Sequence, residues 1–283
     1  MAITTVDQFG LAHDSRYQDF LVSKASLANA AAGQYFSLWQ SAGLPAAGAT
    51  PTGAGSGPLV PTNTALGAIP IIDKVSPMAN YVSEMELSAA NAMTSYEIHD
   101  RLAHQGGFVG NVTTGQIAAF DFNSLLLSAN IAERKGDSNF SDIQWWLEWY
   151  TATGATASNA TINVTFNDST TGNLTVVAVG GTVRAGRMIP LNSLIAAADQ
   201  GKYIRGVNSI TLSASTGTAG NFGITATRYR CGALARTANV RNRVIWEQIG
   251  FPQIYAQSAL FPIVLTSTTT TGVINSTLKV VYG

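Results

Sequence analysis

The chain has 283 residues, its 16 Lys and Arg balance 16 Asp and Glu, and only 11% of its side chains are charged. A net charge of zero argues against binding nucleic acid by charge alone, and a hydrophobic content of 46% excludes a chain that is disordered throughout. The single cysteine, Cys231, excludes an intramolecular disulfide.

The N-terminus has neither the basic segment nor the apolar stretch of a secretory signal peptide. No apolar run approaches the ~18 residues that are needed to span a bilayer. We therefore expect a chain made in a cytoplasm, either kept there or delivered from there already assembled, with no membrane partner.

The first 40 residues predict one helix. Asp14 or Ser15 can cap its start, Ala-rich sequence continues to Ala32, and Gly33 is expected to end it. Apolar residues fall near helical spacing at Tyr17, Phe20, Leu21, Leu27 and Ala28. An aromatic run that includes Tyr35, Phe36 and Trp39 follows.

Residues 41–78 contain six of the nine prolines and many glycines, which disfavour regular elements. The segment is nevertheless too apolar for a free linker, because it carries Leu59, Val60, Ile69, Ile71 and Ile72. We predict an extended arm that lies on its own domain or on a neighbouring subunit. Residues 1–78 are thus expected to form a helix and an arm, and residues 79–283 a separate β domain.

From residue 79 onward, apolar and polar residues alternate with period two between regular turn signals. This pattern predicts antiparallel sheets with one face on a core. Eight or more such strands indicate a mainly β fold, a β-sandwich or jelly roll, with one short helix at 191–198. The alternating apolar positions are Met85, Leu87, Ala89, Tyr96, Ile98, Ile143, Trp145, Leu147, Trp149, Ile162, Val164, Phe166, Leu174, Val176, Ala178, Ile210, Leu212, Phe222, Ile224, Ala226, Val273, Ile274, Leu278 and Val280.

No group of residues has the spacing of a catalytic, cofactor or metal site. His13, His99 and His104 are expected at surface or turn positions, and strand alternation puts His99 on the opposite face from His104. Glu84 and Glu86 are expected to form an exposed charged row. No nucleophile elbow or phosphate loop occurs, and Gly106-Gly107 and Gly180-Gly181 are expected in turns.

The aromatic strand at 143–150 leaves three interpretations open. Trp145 and Trp149 alternate inward with apolar residues and predict core, whereas Trp146 and Tyr150 are expected to face outward. The outward pair can be packing, a contact with a partner subunit, or a platform for a sugar ring beside Glu148. The sparse arginines at 228–243 are expected to be ladder charges at a subunit contact rather than a nucleic-acid patch; they are Arg228, Arg230, Arg236, Arg241 and Arg243.

Several phrases between residues 78 and 283 resemble tailed-bacteriophage virion structural proteins. They are DRLAHQGG at 100–107, GNVTTGQ at 110–116, WWLEWYTATGATA at 145–157, AGRMIPL at 185–191, GVNSITLSASTGTAGNFGITATR at 206–228 and GFPQIYAQSAL at 250–260. The resemblance implies a capsid decoration or cement protein that is β-rich, commonly trimeric, and bound across joints between major capsid subunits.

The sequence therefore favours a non-enzymatic virion protein that stabilises a capsid from outside, with copies of itself and the major capsid protein as partners and no cofactor. A head-fibre or tail-associated module that binds host glycans is the alternative, and a depolymerase is a third, less favoured one. The subunit-contact candidates are Tyr35, Phe36, Trp39, Leu59, Val60, Ile69, Ile71, Ile72, Trp146 and Tyr150.

Overall fold

A computed structural model of the protein describes residues 2–28 and 30–283. They form mainly antiparallel strands, which confirms the predicted fold class. The strands are β1 (Tyr17–Lys24), β2 (Tyr35–Ser37), β3 (Gly43–Leu44), β4 (Asn80–Ala89), β5 (Thr94–Phe108), β6 (Gln116–Asp121), β7 (Gln144–Thr151), β8 (Asn159–Phe166), β9 (Thr171–Asn173), β10 (Val177–Ala178), β11 (Arg187–Pro190), β12 (Ile204–Leu212), β13 (Asn221–Ala235), β14 (Asn242–Ile245), β15 (Gln253–Ile254), β16 (Leu260–Leu265) and β17 (Ile274–Tyr282). The α-helices are α1 (Val6–Ser15), α2 (Ile131–Arg134) and α3 (Trp246–Ile249).

The chain divides into two compact units. Unit 1 contains Met1–Ala49, Pro61–Asp100 and Tyr229–Gly283, and unit 2 contains Thr50–Val60 and Arg101–Arg228. The expected boundary near residue 78 therefore falls inside unit 1. The reason is long-range pairing, because β1 and β2 from the N-terminal region pair with β17 and β16 from the end of the chain.

Unit 1 contains a six-stranded sheet in the order β14–β4–β17–β1–β3, with β15 also paired to β4. Its inner face is apolar and includes Val22, Met85 and Leu278. Facing residues of β2, β16 and the first half of β5 belong to the same core. Strands β2, β16 and β5 belong to a closed barrel of six strands in the order β11–β2–β16–β5–β13–β7.

Unit 2 has its core between two layers of strands. One layer has the order β10–β8–β12–β6, with β9 beside β8. The other contains β11, β7 and the first half of β13. A single core joins them, in which Trp145 contacts Phe120 and Phe122 edge-on at ring-centroid distances of 4.8 and 5.5 Å. Trp145 and Trp149 are buried as predicted.

The prediction of a helix from about residue 14 to 32 was wrong. Tyr17–Lys24 is strand β1, paired with β17 along all eight residues, so tertiary pairing overrides the helical spacing. The helix lies earlier, at Val6–Ser15, where Thr5 and Gln8 form a capping box. The helix expected at 191–198 is replaced by two short 3-10 turns.

The arm lies on its own chain. Phe36, Ile69 and Ile71 are fully or almost fully buried in the unit 1 core, and Trp39 packs edge-on against Phe261 at 5.8 Å. These four residues were expected to reach neighbouring subunits, and that expectation was wrong. They are buried because β2 pairs with β16 within the closed barrel and because the chain returns along β16 through the Ile69 N–H bond to Leu260 O.

Residues 50–60 lie along the second half of β5 within unit 2. Leu59 and His104 exchange backbone hydrogen bonds, and Gln105 Nε2 donates to Gly53 O at 2.9 Å. The glycines Gly106 and Gly107 were expected in a turn but lie in β5. A Cβ at Gly106 would stand 2.2 Å from Pro51 O, so the close approach of the arm requires glycine there.

Candidate contact surface

Strand β1 has an open side. It pairs with β17 along its whole length, but β3 pairs only with Ser23 and Lys24. Among the described residues, no strand pairs with the β3 side of Tyr17–Val22. Open strand edges of this kind accept a further strand from another chain.

An apolar groove of about 390 Å³ runs beside this edge. Leu21, Leu44 and Leu66 line it and are 59, 53 and 64% exposed. Asp19 is the one charged side chain in its lining, and it forms no ion pair with the residues that the structure describes. The groove therefore suits an extended apolar segment that carries a cation.

The opposite edge of the same sheet carries two arginines that are paired with glutamates. Arg241 and Arg243 lie at and beside β14, and their guanidinium groups contact Glu86 and Glu84. The hydrogen bond from Arg243 lowers the pKa of Glu84 below its ordinary value. Glu84 and Glu86 were expected to form an exposed row, but they are paired with arginines and partly buried. The ion pairs agree with the expected ladder charges at Arg241 and Arg243. A subunit contact at these residues stays a prediction.

Arg228 and Arg230 differ from the ladder arginines. Arg228 Nη2 is 2.7 Å from Asp142 Oδ2 in unit 2, and the buried Arg230 is 3.6 Å from buried Asp100 in unit 1. Both arginines neutralise carboxylates of their own unit. They are not part of the exposed row.

Helix α1 is held on unit 1 by an aromatic cluster. The Phe9 ring lies 5.1 Å from that of Trp246 and 5.3 Å from that of Phe251, measured between centroids. His13 Nε2 is 3.7 Å from Glu84 Oε2. Val6 and Leu11 nevertheless remain 73 and 53% exposed, so the helix presents apolar side chains to solvent.

Unit 2 encloses a polar cluster that sequence reasoning missed. Arg101 Nη1 and Nη2 donate to the two carboxylate oxygens of Glu148, at 3.2 and 2.5 Å. Tyr150 OH and Thr225 Oγ1 donate to the same carboxylate. Arg101 Nε donates to His104 Nδ1 at 2.6 Å, which requires an unprotonated nitrogen there.

The cluster is closed to ligands, because its most exposed members, Tyr150 and His104, are 7 and 5% exposed. Burial lowers the pKa of His104 well below its ordinary value, and the neighbouring Arg101 charge lowers it further. Burial likewise raises the pKa of Tyr150, and the Glu148 charge adds to this. The groups satisfy one another and stabilise the unit.

Trp146 and Tyr150 were expected to face outward, and that was wrong. Trp146 is 3% exposed and its Nε1 donates to Thr227 Oγ1 at 2.8 Å. Strands β11 and β13 pair with the two edges of β7, and the face that carries Trp146 and Tyr150 packs against the buried side chains of Arg101, Thr225 and Thr227. No aromatic platform for a sugar is present at these residues. His99 and His104, expected at surface or turn positions, are also buried.

The remaining contact candidates lie apart. Leu59 and Ile72 are 49 and 64% exposed, whereas Val60 packs against the unit 2 core. Tyr35 is half-buried, and burial together with the Glu97 charge raises its pKa.

The open β1 edge was missed because β1 was predicted as helix. Glu148 stands among aromatic residues in the sequence, and a carboxylate in such apolar surroundings could have indicated a buried cation as its partner, which the structure shows to be Arg101.

The described residues hold no group of three or more His, Cys, Asp or Glu that could bind a metal ion. Within the same residues, no helix combines the length and the apolar character that crossing a membrane requires.

Comparisons with known proteins establish no family. No family model matches the chain, and no curated protein matches it. Among solved structures, the VP2 subviral particle of infectious bursal disease virus is 10% identical with a TM-score of 0.16, covering 94% of this chain and 79% of that one. The D431N VP2 particle of the same virus is 9% identical with a TM-score of 0.17, covering 94% and 77%. Similarities this low are no basis for a statement about the fold or the function of this chain.

Proposed function

We propose that this chain is a virion structural protein that decorates and stabilises the capsid of a tailed bacteriophage from outside. Its partners are the major capsid protein and copies of itself, as a homotrimer. It acts by adhesion and not as an enzyme, and it engages neither nucleic acid nor a membrane. The resemblance of its repeated phrases to phage virion proteins supports the class.

The distribution of exposed apolar side chains carries the proposal. Ten of the nineteen exposed large apolar side chains of the described residues lie before residue 79, in little more than a quarter of the chain. Leu66, Ile72 and Val75 are 64, 64 and 79% exposed and lie within a stretch of ten residues. Such a concentration supports the proposal that another protein covers this part of the chain.

The test compares matched triple variants on purified particles. The first is Leu66→Ser, Ile72→Ser and Val75→Ser. The control is Leu127→Ser, Ile117→Ser and Val176→Ser, which changes the same residue types at exposed positions of unit 2. Rebinding to particles that lack the chain is measured by quantitative mass spectrometry.

We expect the first variant to lose at least about 100-fold in affinity, because burying each side chain stabilises a contact by about 1.5–3 kcal/mol. The control is expected to bind as the wild type does. Absence of the wild-type chain from purified virions would overturn the virion assignment. Equal binding by both variants would show that the N-terminal apolar surface does not carry the contact.

A further inference from the structure

The open edge of β1 presents unused backbone groups. Tyr282 N–H donates to Arg16 O on the β17 side, whereas Ala25 N–H donates to Ala42 O on the β3 side. Because bonding direction alternates along a strand, the odd-numbered residues of β1 point toward the β3 side. Tyr17, Asp19 and Leu21 therefore direct their N–H and C=O groups toward the open side, where Asp19 and Leu21 line the groove.

Strand β14 ends the other side of the same sheet. It pairs with β4 through Asn242–Ile245, and no described strand pairs with its outer side. Ile245 N–H donates to the Gln248 side chain at 3.1 Å rather than to β4. By alternation, Arg243 directs its N–H and C=O groups outward as well.

The two edges match in polarity, length and face. The four strands β14, β4, β17 and β1 are successively antiparallel, so β14 of one copy placed beside β1 of the next continues the antiparallel order. Four residues of β14 fit the six open residues Tyr17–Val22. Directly paired residues of neighbouring strands lie on the same face of a sheet. Arg243 pairs with Glu86, Glu86 with Thr277, and Thr277 with Leu21. Arg243 and the odd-numbered residues of β1 therefore share one face.

The charges match too. Arg243 uses Nε and Nη2 to bind Glu84, which leaves Nη1 for a second carboxylate. Its side chain is 56% exposed. Opposite it, the groove offers Asp19 as its one charged lining residue. Pairing β1 with β1 of another copy would instead bring two Asp19 carboxylates close together, which is unfavourable.

We propose that copies of this chain join head to tail, with β14 of one copy adding to the open edge of β1 in the next and Arg243 facing Asp19. This deepens the proposed function by naming a surface for self-contact. A head-to-tail contact generates a ring where its rotation closes, which is the geometry that a homotrimer needs.

Cysteine cross-linking tests the pairing. Directly opposed residues of an antiparallel pair have Cα atoms about 5.5 Å apart, which is within disulfide reach. Asp19→Cys and Arg243→Cys chains are prepared separately, oxidised alone and as a mixture, and analysed on non-reducing gels. Within one chain the two positions are three strand spacings apart, about 14 Å, so they cannot join intramolecularly. Cys231 is buried and its pKa is raised to about 12, so it stays unreactive.

We expect a covalent dimer as the main product of the mixture only, and a ladder or closed ring from the Asp19→Cys/Arg243→Cys double variant. Circular dichroism checks that each variant is folded. Cross-linking by Asp19→Cys alone would show β1–β1 pairing and overturn the proposal, as would no product from the mixture at high protein concentration. If the mixture cross-links but the chain is absent from virions, the virion role is refuted and the edge pairing stands. If the chain is present in virions but the mixture does not cross-link, the edge pairing is refuted and the virion role stands.

Discussion

At the scale of the residue, Lys24 is a buried cation that lacks an acidic partner among the described residues. Its side chain is fully buried, and Nζ donates to Ser41 O and Pro45 O at 3.1 and 2.6 Å. It forms no ion pair with any residue the structure describes. Burial lowers the pKa of Lys24 to about 8, because the charged amine loses its hydration.

This pKa makes the stability depend on pH. Between pH 8 and about 10.5 the unfolded chain holds a proton on Lys24 that the folded chain has lost, so the free energy of unfolding rises with pH by at most about 1.4 kcal/mol per unit. Lys24→Met removes this dependence. Urea unfolding at several pH values should show the wild type gaining on the variant from pH 8 to 10. A constant difference between them would contradict the lowered pKa.

Glu148 illustrates a paired buried charge. Glu148→Gln leaves the fully buried Arg101 guanidinium without a counter-charge, and we expect a loss of about 3–5 kcal/mol in the free energy of unfolding. The matched control is Glu86→Gln. Because its partner Arg241 is 78% exposed, this substitution should lower the free energy of unfolding by less than about 1 kcal/mol. Urea titration measures both.

A second variant separates charge from packing at this site. Arg101→Met with Glu148→Leu removes both charges, and we expect it to recover much of the loss, since apolar replacements of buried ion pairs are often tolerated. Equal costs for Glu148→Gln and Glu86→Gln would show that the Arg101 charge does not depend on Glu148.

At the scale of the element, β1 shows that the N-terminal region is structural and not a detachable arm. It lies between β17 and β3, and β2 pairs with β16. Its misassignment as helix has a local cause, because Phe20, Leu21 and Leu27 match helical spacing, while the pairing partner of β1 lies 250 or more residues away. Strands such as β4 and β8 were predicted because alternation alone marks them.

Deletion of residues 1–75 should abolish folding of unit 1. It removes β1, β2 and the buried Phe36, Trp39, Ile69 and Ile71. At about 2–5 kcal/mol for truncating each large side chain, the loss for the four is about 8–20 kcal/mol, which is as large as the about 5–15 kcal/mol by which domains are stable. The control deletes residues 1–15, which removes α1 but keeps every strand. Near-ultraviolet circular dichroism and thermal unfolding should show a folded control only, and a cooperative transition in the longer deletion would refute the prediction.

At the scale of the whole molecule, the chain passes between its two units four times. The crossings follow Ala49, Val60, Asp100 and Arg228, and two of them lie inside the long strands β5 and β13. A single cut in the sequence therefore cannot separate the units. A boundary read from composition alone, near residue 78, marks where regular alternation begins and not where a compact unit begins.

The sequence by itself determined the mainly β class, most strand positions after residue 79 and the inward direction of Trp145 and Trp149, because these follow from local alternation and hydrophobicity. Only the tertiary structure decided which strands are partners, and hence that the face of β7 that carries Trp146 and Tyr150 is buried. It also decided that Arg101 meets Glu148 and that the open part of β1, Tyr17–Val22, lies on the opposite side of one sheet from β14. Pairing depends on residues far apart in the chain, and no local pattern records it.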